Sequence, residues 1–149
     1  MEIYLEPGEA IALNAGYLLT SVLDTIHNGD TSLAILDMSA ACHAPDIIEM
    51  PYTPPLYGSL QQGKGEYTYR LGGPTCLAGD IIGDYDFEMP LTEGMQLLFE
   101  DMAIYSMCKT NTFNGMPLPN ILVARSDGTL EQLAGFDYYD FKYRLGSKK

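Results

Sequence analysis

Residues 67–85 read Tyr-Thr-Tyr-Arg-Leu-Gly-Gly-Pro-Thr-Cys-Leu-Ala-Gly-Asp-Ile-Ile-Gly-Asp-Tyr, and this stretch decides the fold class. Aromatic and β-branched residues near its two ends predict strands over residues 67–70 and 80–85. Three glycines and a proline between them predict a tight loop that presents Cys76 in a fixed geometry. A strand–loop–strand unit of this kind is typical of a mainly β domain.

Further strand candidates lie on both sides of this unit. They are short apolar and β-branched runs bounded by turn residues, at positions 32–36, 95–99, 104–107, 120–125 and 129–133. Ser126-Asp127-Gly128 predicts a hairpin turn between the last two. The pattern predicts an antiparallel β domain, either a barrel or a sandwich.

The N-terminal residues have a different pattern. They predict a short strand over residues 2–5 and one N-terminal helix over residues 9–27, where apolar residues recur at helical spacing. Both faces of this helix are apolar, which indicates packing between two bodies. We therefore expect residues 1–29 to be the end of a larger β/α unit and residues 30–149 to be the β domain.

Composition and charge argue against several classes of protein. The net charge of −12 disfavours nucleic acid, and no run of about 20 apolar residues predicts a membrane span. The three cysteines form no CxxC pair and the two histidines are not spaced with them as zinc ligands, so we expect no metal. With no secretory leader apparent, reduced thiols and a cytoplasmic location are expected.

Four clusters could carry chemistry, and each has a plainer interpretation. Glu6-Pro7-Gly8 could present a carboxylate at a strand end, or it could be a turn before a helix. Cys76 could be a general acid or a nucleophile, or it could be a buried and inert thiol.

The other two clusters lie on either side of the central unit. Tyr105, followed by Phe113-Asn114-Gly115, could bind a phosphate or a carboxylate, or it could belong to the core. Asp46 and Glu49 could hold an amine beside a titrating His43, or they could be solvated loop acids. Taken separately, none of the four clusters is specific.

Their order along the chain is specific. The segments that carry it are Tyr4-Leu5-Glu6-Pro7-Gly8-Glu9-Ala10, Ser39-Ala40-Ala41-Cys42-His43, residues 67–80 as quoted above, and Lys109-Thr110-Asn111-Thr112-Phe113-Asn114-Gly115-Met116. Together they resemble the fold-type III pyridoxal-phosphate decarboxylases of basic amino acids, and more closely the carboxynorspermidine (carboxyspermidine) decarboxylases. The resemblance extends from about residue 2 to about residue 122.

The resemblance implies a homodimeric enzyme with shared active sites. Its N-terminal TIM barrel would hold pyridoxal 5'-phosphate, and its C-terminal domain would be a Greek-key β-barrel of the alanine racemase/ornithine decarboxylase type. Residues 1–29 would then be the last strand and helix of the TIM barrel. The family's Schiff-base lysine lies earlier in that barrel, and none of the five lysines here matches it. We therefore expect this chain alone to be inactive.

The resemblance also implies roles for four residues. Glu6 matches the carboxylate that pairs with the cofactor's pyridine nitrogen, and Tyr105 matches the tyrosine that contacts its phosphate. Cys76 matches the catalytic thiol that reaches across the dimer and protonates the substrate carbanion. Phe113 matches an aromatic residue that lines the partner's site.

Two departures from the family concern the substrate. Glu9 stands where relatives that act on amino acids usually have arginine, and Leu77 stands where many have an acid. A carboxylate at position 9 suits a substrate with extra amines. Asp46, Glu49 and Asp80 are then the candidates to hold the substrate amine, and the sequence does not choose among them.

Three functions follow, in order of preference. The first is removal of CO₂ from a carboxylated polyamine, giving norspermidine or spermidine in polyamine biosynthesis. The second is a non-catalytic β domain that binds a polyamine or a homologous subunit. The third is a decarboxylase of another basic amino acid, such as diaminopimelate or arginine.

Overall fold

A five-stranded sheet forms the body of the protein in the computed structural model, which describes residues 1–146. Its strands are β1 (Leu18–Asn28), β2 (Thr31–Leu36), β3 (Tyr67–Gly72), β4 (Ile81–Phe87) and β5 (Gln96–Phe99). Their order across the sheet is β4-β3-β2-β1-β5. The β2–β3 pair is parallel, and the other three pairs are antiparallel. A separate antiparallel hairpin joins β6 (Ile121–Ala124) and β7 (Leu130–Ala134).

The helices of the described chain are short. They are α1 (Gly8–Ala12), α2 (Ala40–His43), α3 (Asp46–Glu49) and α4 (Tyr138–Arg144), with a 3-10 segment at Phe113–Gly115. Within residues 1–146, no helix has the length and apolar character needed to cross a membrane. Over the same residues, no group of three or more His, Cys, Asp or Glu side chains is arranged to hold a metal ion.

The core lies between the sheet and the irregular segment that follows β2. Leu36, Leu71 and Phe99 are fully buried on the sheet, and they pack with Met38 and Leu56 of that segment. Alternate residues of a strand point to opposite faces, so one face of the sheet supplies this layer. The fold is therefore mainly β, as the sequence predicts.

The predicted helix over residues 9–27 is wrong beyond residue 12. Residues 18–28 form β1, which pairs with β2 on one side and with β5 on the other. The run contains the β-branched residues Thr20, Val22, Thr25 and Ile26, which fit a pleated surface, and tertiary pairing overrides its helical spacing. The expected domain boundary at residue 29 falls in the turn between β1 and β2.

Two other predicted strands do not form, and one pair of strands is parallel although the sequence predicts an antiparallel domain. Residues 2–5 have no regular structure, and residues 104–107 form turns in which Tyr105 has a positive φ of 53°. The β2–β3 pair is parallel because the chain crosses over between residues 37 and 66 instead of returning by a hairpin.

Candidate functional site

Helix α2 lies between two loops that carry the predicted site residues. Ser39 caps its N-terminus, since the Ser39 hydroxyl accepts a hydrogen bond from Cys42 N at 3.2 Å. We call residues 73–80 the cysteine loop and residues 111–117 the Phe-Asn-Gly segment. Each is attached to α2 by its own set of hydrogen bonds.

Asp80 attaches the cysteine loop to α2. The Asp80 carboxylate is buried, and its Oδ1 accepts hydrogen bonds from Ser39 Oγ at 3.0 Å and Ala40 N at 2.7 Å. Its Oδ2 accepts from Thr75 Oγ1 at 2.6 Å and Thr75 N at 3.2 Å. A Cβ atom at Gly73 would clash with the Asp80 carboxylate, so glycine at this position leaves room for the carboxylate. Because both oxygens are used within the chain, the carboxylate fixes the loop.

The Phe-Asn-Gly segment is attached to the other end of α2. Asn111 donates from its side chain to Ala41 O at 2.8 Å and from its backbone to Cys42 O at 3.0 Å. The thiol of Cys42 donates to Phe113 O at 3.4 Å. Burial raises the pKa of the Cys42 thiol, which keeps it protonated as a donor.

His43 adds a third connection to this segment. Its Nδ1 accepts a hydrogen bond from Ser39 N at 3.1 Å, so its Nε2 carries the proton and donates to Pro117 O at 3.0 Å. Burial lowers the pKa of His43, and the opposing effects of the Pro117 carbonyl, Asp37 and Asp80 are smaller. The imidazole is therefore a neutral structural link at physiological pH.

The two loops meet at the predicted catalytic residue. The Cys76 thiol is exposed and donates to the amide oxygen of Asn114 at 3.6 Å. Asn114 has a left-handed backbone with φ of 58°, and the neighbouring Phe113 side chain is 44% exposed. The arrangement presents a thiol and an aromatic ring together on the surface, beside an asparagine to which the sequence alone assigns no role.

Asp46 and Glu49, the predicted amine-binding pair, hold a cation of the chain itself. Lys109 Nζ lies 2.5 Å from Asp46 Oδ1 and 2.9 Å from Glu49 Oε2. These hydrogen bonds raise the pKa of Lys109 and keep it charged. The same ammonium lies 5.0 Å from the centroid of the Tyr105 ring, within the range of a cation–π interaction.

The N-terminal segment is fixed beside the turn that carries Tyr105. The contacts are Asn14 N to Asp101 Oδ1 at 2.6 Å and Met102 N to Gly16 O at 2.9 Å, and a Cβ at Gly16 would stand 2.8 Å from Ala103 Cβ. Glu6 and Glu9 precede this junction, and Tyr105 follows it; all three side chains are exposed. The structure thus joins residues 14–16 to residues 101–103, and it places Cys76 beside Asn114, the neighbour of Phe113.

Comparison with known proteins gives one family. Residues 10–103 match the family model described as pyridoxal-dependent decarboxylase, C-terminal sheet domain. A carboxyaminopropylagmatine decarboxylase from Synechocystis sp. is 46% identical over 146 residues, which cover 98% of this chain and 38% of the relative. A carboxynorspermidine/carboxyspermidine decarboxylase from Campylobacter jejuni is 37% identical over 155 residues, covering 97% of this chain and 40% of the relative.

Solved structures agree with these matches. The crystal structure of carboxynorspermidine decarboxylase from Campylobacter jejuni, complexed with norspermidine, has a TM-score of 0.87 and 38% identity over 95% of this chain and 41% of its own. An arginine decarboxylase from Paramecium bursaria Chlorella virus, bound to agmatine, shares the fold with a TM-score of 0.63 and 22% identity, covering 74% of this chain and 31% of its own. The chain spans about two fifths of the length of the curated relatives it matches.

Proposed function

This chain belongs to the C-terminal sheet domain family of the pyridoxal-dependent decarboxylases, and on that premise we propose that it is the C-terminal part of an enzyme that removes CO₂ from a carboxylated polyamine. One structural observation supports this proposal above the others. Two loops, each attached to α2, hold the exposed Cys76 thiol beside Asn114 and Phe113. That is an ordered donor on an open surface, as a site completed by another part of the enzyme requires.

The residues of this chain fit one part of a pyridoxal-phosphate site. When bound, the cofactor supplies an electron sink for the bond that breaks as CO₂ leaves. Glu6 would face its pyridine nitrogen and Tyr105 its phosphate, and the junction between their two segments supports this pairing. Lys109 does not fit as the lysine that attaches the cofactor, because Asp46 and Glu49 already bind its ammonium.

We assign proton delivery to Cys76. A thiol that donates a hydrogen bond carries a proton that it can pass to a substrate carbon within its reach. Phe113 would line the space in which that carbon lies. Because both side chains are exposed here, the facing wall would come from the N-terminal part of a partner subunit, so we include a homodimer in the proposal.

Substrate recognition falls mainly to Glu9 among the four acidic candidates. The Asp80 carboxylate already accepts hydrogen bonds from α2 and from Thr75. Asp46 and Glu49 bind Lys109. Glu9 is exposed in the first turn of α1 and attracts a cationic group of the substrate. Polyamines carry such groups at a distance from the reacting carbon, whereas diaminopimelate carries a second carboxylate there.

A second candidate substrate comes from the comparisons. The relative named for carboxyaminopropylagmatine is 46% identical to this chain, compared with 37% for the relative from Campylobacter jejuni named for carboxynorspermidine and carboxyspermidine. Its substrate ends in a guanidinium group, which a carboxylate such as Glu9 binds through two parallel hydrogen bonds.

We propose a cytoplasmic location, in keeping with three unpaired thiols.

The test joins this chain to the N-terminal part of the Synechocystis relative and measures CO₂ release. The substrates are carboxyaminopropylagmatine, carboxynorspermidine and diaminopimelate, and the intact relative is the control. We expect turnover of at least one carboxylated polyamine, little turnover of diaminopimelate, and none by this chain alone. A joined protein that binds the cofactor and releases no CO₂ from any polyamine would support the non-catalytic alternative.

Glu9→Arg in the same joined protein tests the assignment of Glu9. We expect kcat/KM for the polyamine to fall relative to that for diaminopimelate, because the new cation repels an ammonium and attracts a carboxylate. Glu88 is an exposed acid directly after β4, and Glu88→Arg is the matched control. If the ratio between the two substrates does not change, Glu9 has no part in selection.

A further inference from the structure

We infer that Asn114 is a positioning residue that fixes the direction of the Cys76 thiol; the inference rests on the proposed role of Cys76. The amide oxygen of Asn114 lies 3.6 Å from Cys76 Sγ and accepts the S–H hydrogen bond. A cysteine side chain has a single rotatable bond before its sulfur. One acceptor at a fixed point therefore selects one orientation of the thiol.

The acceptor is itself held in place by the backbone. Asn114 adopts φ of 58° and ψ of 16°, the left-handed conformation that asparagine tolerates better than most residues. Phe113 N donates to Asn111 Oδ1 at 3.0 Å, and Gly115 N donates to Thr112 O at 3.0 Å. The turn around Asn114 is thus closed on both sides, and the amide reaches outward to the cysteine loop.

The cysteine loop and the Phe-Asn-Gly segment, which supply the two sides of this contact, are both attached to α2. Asp80 links the cysteine loop to Ser39 and Ala40 at the start of α2, and Asn111 links the Phe-Asn-Gly segment to Ala41 and Cys42 along the same helix. One turn of helix therefore sets the distance between the Cys76 sulfur and the Asn114 amide. Without the amide, the loop would still be held, but the exposed thiol would be free to rotate.

Two substitutions at Asn114 separate this role from a structural one. Glycine adopts a positive φ without strain, and aspartate tolerates it about as asparagine does, so both keep the turn. Asn114→Gly removes the acceptor and leaves the thiol free to rotate toward a reagent. Asn114→Asp keeps an acceptor but adds a negative charge that repels a thiolate.

The measurement is the rate of alkylation of Cys76 by iodoacetamide in this chain, followed by peptide mass spectrometry at about pH 8, where the thiolate is the reacting form. Cys108, which is also exposed, is the internal control in every sample. We expect Asn114→Gly to raise the Cys76 rate about threefold and Asn114→Asp to lower it about threefold, the size of one modest hydrogen bond. Cys108 should react at the same rate in all three proteins.

The inference predicts that the alkylation rate of Cys76 changes in opposite directions in the two variants. If both variants accelerate Cys76, then Asn114 only stiffens the segment and the inference is overturned. Unchanged Cys76 rates in both variants overturn it as well. Alkylation requires neither cofactor nor substrate, so the result stands whether or not the proposed decarboxylase activity is found.

Discussion

At the scale of single residues, the arrangement around His43 makes stability depend on pH. The folded protein uses Nδ1 of His43 as an acceptor, and burial lowers the pKa of the ring. In the unfolded chain a histidine titrates near pH 6.5, so below that pH the unfolded state binds more protons than the folded state. The stabilising contribution is complete above about pH 6.5 and is lost as the pH falls toward the lowered pKa.

We therefore predict that the free energy of unfolding decreases as the pH is lowered from about 7.5 to about 5.5. His43 contributes no more than about 1.4 kcal/mol per pH unit to this decrease. Urea unfolding of the wild-type protein and of His43→Gln measures the difference. The variant should lose this part of the pH dependence, whereas His27→Gln, at an exposed histidine, should retain it. A His43→Gln protein with the wild-type pH profile would show that His43 does not titrate in this range.

At the scale of elements, α2 depends on one buried carboxylate. Asp80 accepts hydrogen bonds from the buried Ser39 and Ala40 and from the partly buried Thr75, and Asp80→Ala leaves these donors without that partner. We expect a loss of about 3 kcal/mol of unfolding free energy, measured by urea denaturation. Asp84→Ala removes an exposed ion pair with Arg70 and should cost less than about 1 kcal/mol. Equal losses in the two variants would contradict the role given to Asp80.

Most of the strands, but not β1, could be predicted from the sequence. Strands β2 to β7 lie at predicted positions, because short β-branched runs between turn residues are a local signal. Strand β1 is not predicted because its apolar residues also fit a helix, and its pairing with β2 and β5 is seen only in the finished sheet. Cys76 and Phe113, by contrast, are predicted as site residues from their motifs, and their roles stay predictions.

The connection between those motifs could not be predicted in the same way. Asn111 reaches Ala41 across 70 residues, and Asp80 reaches Ala40 across 40 residues. Such contacts depend on the finished sheet and leave no periodic signal. For the same reason, the sequence alone leaves Asp46, Glu49 and Asp80 as equal candidates, and only their partners distinguish them.

At the scale of the whole molecule, the exposure of the predicted site residues supports the proposal that they form one part of a site. Cys76, Phe113, Tyr105 and Glu6 are all exposed, and the chain corresponds to about two fifths of its curated relatives. Exposed apolar side chains on β1, among them Leu19 at 58% exposure, add surface that a partner could cover. On the proposed function, turnover requires a second part of the enzyme against this surface, and we therefore test it in the joined protein.

The role assigned to Cys76 is tested most directly by the rate at which the decarboxylated polyamine forms. It is measured in the protein that joins this chain to the N-terminal part of the Synechocystis relative, and Cys76→Ala is compared with Cys108→Ala. Both substitutions remove an exposed thiol, but only Cys76 is assigned to proton delivery. We predict that Cys76→Ala lowers the rate of product formation by about 10² or more, the usual loss for a general acid, and that Cys108→Ala leaves it near the wild-type value. A Cys76→Ala protein that forms the same product at the wild-type rate would contradict the account.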